Sequence, residues 1–413
     1  MRFGPAVVLF DFCGIPMAGN LANGFVVGLT TEGSALCQQL AREDVPEEEA
    51  RAVNAELFAC LQQAGFFDLT PAAPGLRSAY LHVTQRCNLQ CAGCYSLDDS
   101  RNASADLPTE QLLDFIGQLA ICGVTSLFIS GGEPFLRDDL TALVRCAKEH
   151  GIGTVTVITN GTCISREALD ELAEFADSIS VSFDGYSAEA TPYIRGVQRF
   201  NQLVDAVRLI QEASIPAHII PTIHRKNVHD LPCYTSLAAD LGVTMNYSLL
   251  SCECGPDDAL ADLVPDEAAL EALADELLAL GNAPVLSGAP VGLNLAVRTS
   301  CGAGCREISV AADGTVYPCH MLQRREYALG SLLNEPLAVI LEREAPRWRS
   351  ALDSANVEGC ADCRHQLLCG GGCRARSVYT SGNLTSRDSY CTFMMRYYDQ
   401  LGAFLAEQTA GCH

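Results

Sequence analysis

The chain has 413 residues, 48% of them hydrophobic, so a full core can form and global disorder is excluded. Fifty acidic against 27 basic residues leave a net charge of −23. That excludes nucleic acid as a main partner, since phosphate binding needs a basic surface. Solubility is the plain reading of such a surface; a positively charged peptide partner is the sharper one.

Residues 1–75 read as a small module. Ala6–Phe10 and Gly24–Leu29 are predicted strands, and Thr30 or Thr31 caps a helix running to about Leu40. Pro46 and Glu47–Glu49 open a second helix, with acidic residues in the first turn as the helix dipole prefers. It carries Val53, Leu57 and Leu61 and ends near Gly65, and residues 71–75 form a linker.

Residues 76–256 alternate strand and helix six times. The predicted strands are Tyr80–Val83, Ser126–Ile129, Thr154–Ile158, Ser178–Ser182, His218–Ile223 and Thr244–Leu249, with amphipathic stretches such as Thr109–Ala120 and Asp139–His150 between them. This pattern implies an α/β domain with a parallel sheet and right-handed crossovers. Six units do not complete an eight-stranded barrel, so a partial (β/α)6 barrel is expected. Its polar motifs follow the C-terminal ends of strands, where such barrels place their sites.

Residues 257–299 read as an acidic helical connector. Residues 300–413 are cysteine- and glycine-rich, and metal clusters rather than a hydrophobic core are expected to hold them together. No run approaches the roughly 20 apolar residues of a membrane span. The start lacks the basic, apolar and small-residue pattern of a signal peptide, so a cytoplasmic chain without membrane association is expected.

Twenty-one cysteines in such a chain point to metal ligands more than to disulfides. Cys87-x-x-x-Cys91-x-x-Cys94 follows the first strand. Three thiolates take three corners of an iron–sulfur cube and leave one iron open to a small molecule. Zinc usually takes four ligands in paired Cys-x-x-Cys units, and no fourth lies nearby. Gly131-Gly132-Glu133-Pro134 follows the second strand, where glycines permit close backbone approach and a buried carboxylate can pair with an ammonium. Thr159-Asn160-Gly161, Ser182 through Gly185, Arg195 and Leu249-Leu250 follow at the ends of later strands. Cys252-x-Cys254 stands apart from the scattered cysteines, most of which read as small buried hydrophobes.

The three-cysteine spacing with Gly131–Pro134 resembles the radical S-adenosylmethionine (radical SAM) enzymes. That resemblance implies a [4Fe–4S] cluster on Cys87, Cys91 and Cys94, and SAM cleavage to a 5′-deoxyadenosyl radical. It implies SAM contacts by Gly131, Gly132, Glu133, Ser182 and Arg195. Leu249 either packs on the adenine or completes the core. Many members have an aromatic residue just before the third cysteine; here it is Gly93, and Tyr95 follows Cys94.

Cys301, Gly314 and Cys319, then Cys360, Cys363, Cys369, Cys373 and Cys391, resemble the SPASM domain with two auxiliary [4Fe–4S] clusters, making three in all. The resemblance implies one auxiliary cluster on Cys301, Cys319 and Cys373, with Cys305 placed to be its fourth ligand. If Cys305 does not bind, an open iron is available to substrate. The second uses Cys360, Cys363, Cys369 and Cys391. Asp313-Gly314 reads as a hairpin turn.

The N-terminal strands and helices, with Gly65-Phe66-Phe67, resemble the PqqD-like recognition element of RiPP enzymes (RiPPs are ribosomally made, post-translationally modified peptides). The other reading is a plain extension packed on the barrel. The recognition element implies a leader peptide added as a strand to a sheet edge. The leading expectation is a RiPP maturase that crosslinks a ribosomal precursor peptide through a thioether or carbon–carbon bond. An external donor such as flavodoxin or ferredoxin would supply electrons. The alternative is an anaerobic sulfatase-maturing enzyme; there an aspartate serves as base where this chain has His320, which is either a proton acceptor or a structural hydrogen-bonding group. An alternative of another class is a non-catalytic peptide-binding or electron-transfer iron–sulfur protein.

Overall fold

The computed structural model describes residues 1–70, 75–98, 100–255, 258–280 and 295–410. The expected linker at 71–74, Cys412 and part of the helical connector lie outside them.

The N-terminal module is a three-stranded antiparallel sheet followed by three helices. Its strands are β1 (Val7–Phe12), β2 (Ile15–Asn20) and β3 (Val26–Gly28), in the order β1-β2-β3. Strand β2 was not anticipated. Phe12 pairs with Ile15 across a two-residue turn, Cys13-Gly14, with φ of +54° and +88°. Hairpins of this length usually use Asn-Gly or Asp-Gly, so Cys-Gly is a weak turn signal. Helix α1 (Thr31–Arg42) is capped by Thr30, as expected. The expected second helix is two, α2 (Glu47–Val53) and α3 (Ala55–Gln63). Asn54 divides them: its backbone is extended and its side chain accepts from Leu57 N at 2.8 Å, capping α3.

The parallel strands of the barrel are β4 (Ser78–His82), β5 (Ser126–Ser130), β6 (Thr154–Thr159), β7 (Ser178–Phe183) and β8 (Ala217–Ile223). Helices α4 (Thr109–Ile121), α5 (Leu140–Glu149), α6 (Arg166–Leu172), α7 (Phe200–Glu212) and α8 (Leu231–Leu241) cross between them. The sixth strand is interrupted. Thr244–Met245 (β9) and Ser248–Leu249 (β10) both pair with β8, with Asn246-Tyr247 between. Helix α9 (Glu267–Leu280) follows.

The C-terminal region does not stand apart on metal clusters alone. Strand β11 (Glu307–Val310) pairs in parallel with β4, and β12 (Thr315–Tyr317) and β13 (Gly330–Ser331) extend the same sheet antiparallel. The predicted hairpin therefore closes the open edge of the barrel sheet. Ile308, Val310, Val316, Leu322 and Ile340 belong to the same core as the barrel. The expectation of a coreless region fails because this apolar surface is shared rather than self-contained. Helices α10 (Leu337–Ala351), α11 (Gln366–Cys369), α12 (Arg374–Ser381) and α13 (Cys391–Ala410) complete it.

The N-terminal module is seated on this region. Phe12 is fully buried in the main core, against His365 and Tyr398. Arg306 donates to Leu21 O at 2.8 Å. The Cys13, His365 and Asp399 side chains gather here, but both Asp399 oxygens already accept from Arg364. The group therefore reads as an ion-paired seam rather than a cation site.

Candidate functional site

The C-terminal ends of the parallel strands open into one cavity of about 320 Å³. Clefts for a small ligand usually span roughly 300–1,000 Å³, and this one lies at the lower end of that range. Cys87, Cys91 and Cys94 line it, and so do Gly131, Gly132, Ser182, Arg195 and Leu249. Burial pushes the Cys91 thiol up to about 11, against the nearby Arg195 guanidinium; Cys87 and Cys94 are its thiol neighbours. Three half-buried thiols on the wall of one cavity suit a metal that deprotonates them.

The two glycines are required, but by the chain's own backbone. A Cβ on Gly132 would sit 2.1 Å from Arg86 O, and one on Gly131 2.5 Å from Thr84 O. Gly132 N donates to Thr84 O at 2.7 Å and Glu133 N to Arg86 O at 2.8 Å. The turn after β5 is thus pressed against the segment that leads into the cysteines.

Glu133 does not reach the cavity. It is fully buried, and accepts from Thr159 Oγ1 at 2.7 Å, Asn160 N at 2.8 Å and Phe135 N at 3.1 Å. Burial raises its carboxyl above the usual carboxylate range, against those hydrogen bonds. Rather than lining the cavity, where an ammonium contact is expected, the carboxylate latches the turn after β5 to the end of β6. Asn160 continues the latch, donating to Asn88 Oδ1 at 2.9 Å and lying 3.8 Å from Cys87 Sγ.

Arg195 is held by its own loop. Its Nη2 donates to Ser182 O at 2.6 Å, and its amide, like that of Ile194, donates to Asp184 Oδ2. Its Nη1 is buried without a hydrogen-bond partner among the described residues. An orphaned guanidinium donor beside a cavity is a fit for an incoming carboxylate.

Several residues were not legible from motif spacing. Asn102, at φ +61°, clamps Cys87 through its amide and carbonyl at 2.8 and 3.0 Å. Arg101 donates to Ser96 O and Oγ at 2.8 Å and lies 3.9 Å from Cys94 Sγ. Asx geometry and an arginine near a thiolate are signals only once the loop is folded. Gly93, at φ +66°, packs on Leu250: a Cβ there would lie 2.9 Å from Leu250 Cδ1. A larger side chain at this position would have to displace Leu250. Tyr95 lies elsewhere on the wall, 5.1 Å from the His320 ring, which also stacks on Tyr80 at 4.1 Å. His320 comes from the C-terminal region, and its Nδ1 lies 3.8 Å from Glu307 Oε1.

The later cysteines form two groups. Cys301 and Cys373 are the cysteine neighbours of Cys319, all beside the barrel edge. Cys360, Cys363, Cys369 and Cys391 line a second, much smaller cavity of about 20 Å³. Burial pushes Cys369 up to about 12. Thiol-only donor sets suit iron–sulfur clusters and zinc alike. Cys305 is not brought to the first group. It is buried, its Sγ donates to Ala345 O of α10 at 3.1 Å, and its charged neighbours are Arg349 and Arg306. Of the two readings of Cys305 this placement matches the one without ligation, since Gly304, at φ +71°, packs the turn against Trp348. Cys252 and Cys254 lie next to each other, and burial pushes Cys252 up to about 11.

A model of the radical SAM superfamily matches residues 81–232, and one of the SPASM iron–sulfur cluster-binding domain matches residues 301–364. The chain is 30% identical over 324 residues to the mycofactocin maturase MftC of Mycolicibacterium smegmatis, covering 75% of this chain and 81% of that protein. Among solved structures, anSMEcpe with bound AdoMet matches at a TM-score of 0.67 and 16% identity, covering 81% of this chain and 100% of that one. Streptococcus suis SuiB bound to its precursor peptide SuiA matches at 0.61 and 13% identity, covering 94% and 99%. No described helix is long and apolar enough to cross a membrane.

Proposed function

Because the chain belongs to the radical SAM superfamily and carries a SPASM iron–sulfur domain, we propose that this enzyme matures a ribosomal precursor peptide by cleaving SAM and forming a crosslink. Residues 1–75, 76–256, 257–299 and 300–413 would then be leader-binding module, radical barrel, connector and auxiliary domain. The observation that carries the reading is the shared cavity: barrel cysteines, the orphaned Arg195 donor and His320 of the C-terminal domain face the same space.

In this reading Cys87, Cys91 and Cys94 hold one cluster. Backbone of Gly131-Gly132 and Nη1 of Arg195 bind the methionine end of SAM, with Ser182 alongside. Leu249, with Leu250 beside Gly93, walls the adenine side. Cys301, Cys319 and Cys373 hold a second cluster, and Cys360, Cys363, Cys369 and Cys391 a third. With these groups bound, the site supplies hydrogen abstraction from a peptide carbon and somewhere for the surplus electron to go. With three thiols in the second group, a cluster held there would leave one iron for a substrate thiolate or another ligand. Tyr80, Tyr95 and His320 shape the wall the peptide meets, and His320 is placed to accept a proton there.

Two observations support a peptide substrate. The N-terminal module has the strands-then-helices order of a peptide-recognition element, and its sheet ends in edge strands β1 and β3. The match to SuiB, solved with its precursor peptide, covers 94% of this chain against 81% for anSMEcpe. A flavodoxin or ferredoxin would deliver electrons to the first cluster.

The test is anaerobic reconstitution followed by SAM and dithionite. The expected result is 5′-deoxyadenosine above a cluster-free control, and a mass change in a precursor peptide encoded beside the gene. No 5′-deoxyadenosine would overturn the enzyme assignment. Turnover of a sulfatase-derived peptide in place of a leader-bearing one would overturn the maturase reading.

A further inference from the structure

Asp388 is buried within the C-terminal domain. Its Oδ2 accepts from Cys373 N at 2.7 Å and its Oδ1 from Tyr390 N at 3.0 Å. Arg376 closes a bidentate pair with it, Nε to Oδ1 at 2.8 Å and Nη2 to Oδ2 at 2.6 Å. Gly372 leaves no space to loosen this, since at φ +74° a Cβ would meet Asp388 Oδ2 at 2.4 Å. The Arg376 guanidinium lies 4.6 Å from the centroid of the Tyr390 ring.

Tyr390 then crosses to the barrel. Its hydroxyl donates to Leu250 O, just after β10. Leu250 N donates to Ile223 O of β8 at 2.8 Å, and its side chain abuts Gly93, between Cys91 and Cys94. A run of buried contacts thus joins the amide of Cys373 to the loop of the first cysteine group. Away from water such polar contacts are strong and directional.

We propose that Tyr390 is a positioning residue for the SAM cavity, coupling the 249–251 wall to the cysteine loop that carries Cys373. The proposal rests on the assignment of the two cysteine groups given above. Filling the second group fixes Cys373, and through Asp388 and Tyr390 the carbonyl of Leu250. SAM binding and loading of the auxiliary group then favour each other, as reciprocal linkage requires.

Tyr390→Phe keeps the ring under Arg376 and removes only the hydroxyl. In full-length, anaerobically reconstituted protein, iron and sulfide per chain are expected to stay unchanged. SAM, measured by equilibrium dialysis, is expected to bind about two- to tenfold more weakly, the range of one net hydrogen bond. The SAM-dependent change in the cluster's electron paramagnetic resonance spectrum should shift with it. Cys373→Ser is then made in both backgrounds. It should weaken SAM binding when Tyr390 is present and add nothing once the hydroxyl is gone. Unchanged SAM affinity in Tyr390→Phe, iron loss in that variant, or an equal Cys373→Ser effect in both backgrounds would overturn the proposal. Wild-type protein that takes up iron and binds no SAM would instead overturn the reading on which it rests.

Discussion

The Glu133 carboxylate accepts a 2.7 Å hydrogen bond from Thr159 Oγ1 at zero solvent exposure, joining the turns after two neighbouring strands. Glu133→Gln leaves one amide nitrogen facing a donor. The expected cost is about 1–3 kcal/mol, the usual penalty for a buried polar group left unpaired. Thr159→Val removes one of the carboxylate's donors and the acceptor of Gly161 N, leaves Asn160 N and Phe135 N bonded to the carboxylate, and should cost less. Denaturant unfolding of the two variants and wild type checks the order; equal losses would show that the latch does not centre on Glu133.

Gly132→Ala tests close approach rather than backbone freedom. The added Cβ would fall 2.1 Å from Arg86 O, a backbone atom that cannot swing aside. The turn must then separate from the segment leading to Cys87. Iron bound by the first cysteine group should fall severalfold while far-ultraviolet circular dichroism stays near wild type. Full iron content would show that the apposition is not needed for the cluster.

Cys305→Ser should retain wild-type iron, because its thiol is bonded to Ala345 O. A serine hydroxyl can donate the same bond. Cys319→Ser, by contrast, removes one of the three grouped thiols and should lose auxiliary iron. Iron analysis of both variants decides it, and iron loss in Cys305→Ser would restore Cys305 as a ligand.

Phe12→Ala should destabilise the chain by about 3–5 kcal/mol, as large-to-small changes in cores do. The ring is fully buried against His365 and Tyr398, so the cavity opens at the seam between the N-terminal module and the C-terminal domain. Limited proteolysis should release the module faster than in wild type. An unchanged cleavage rate would mean that Phe12 does not secure this seam.

The first five barrel strands and the helices between them were legible because period-two and period-3.6 patterns are local, and the barrel buries both; the break at Asn246-Tyr247 in the sixth was not. Strand β2 was not, since Cys13-Gly14 lacks the usual hairpin residues. The split at Asn54 was missed because a single capping side chain outweighed an otherwise continuous helical pattern. The apolar residues near Val316 and Ile340 read as too few for a core, because their partners lie on β4 and the barrel helices, far away in sequence.

The sequence by itself determined the cysteine groups, the glycine pair and the barrel that presents them, because metal-ligand spacing and strand–helix alternation are written in short stretches. Only the tertiary structure decided that Glu133 faces Thr159 and Asn160, that Cys305 turns to α10, and that His320 shares a cavity with Cys91. Each of those depends on which way a side chain points once distant segments pack. Direction of that kind is settled by excluded volume and by the need to satisfy buried polar groups, and spacing along the chain carries neither.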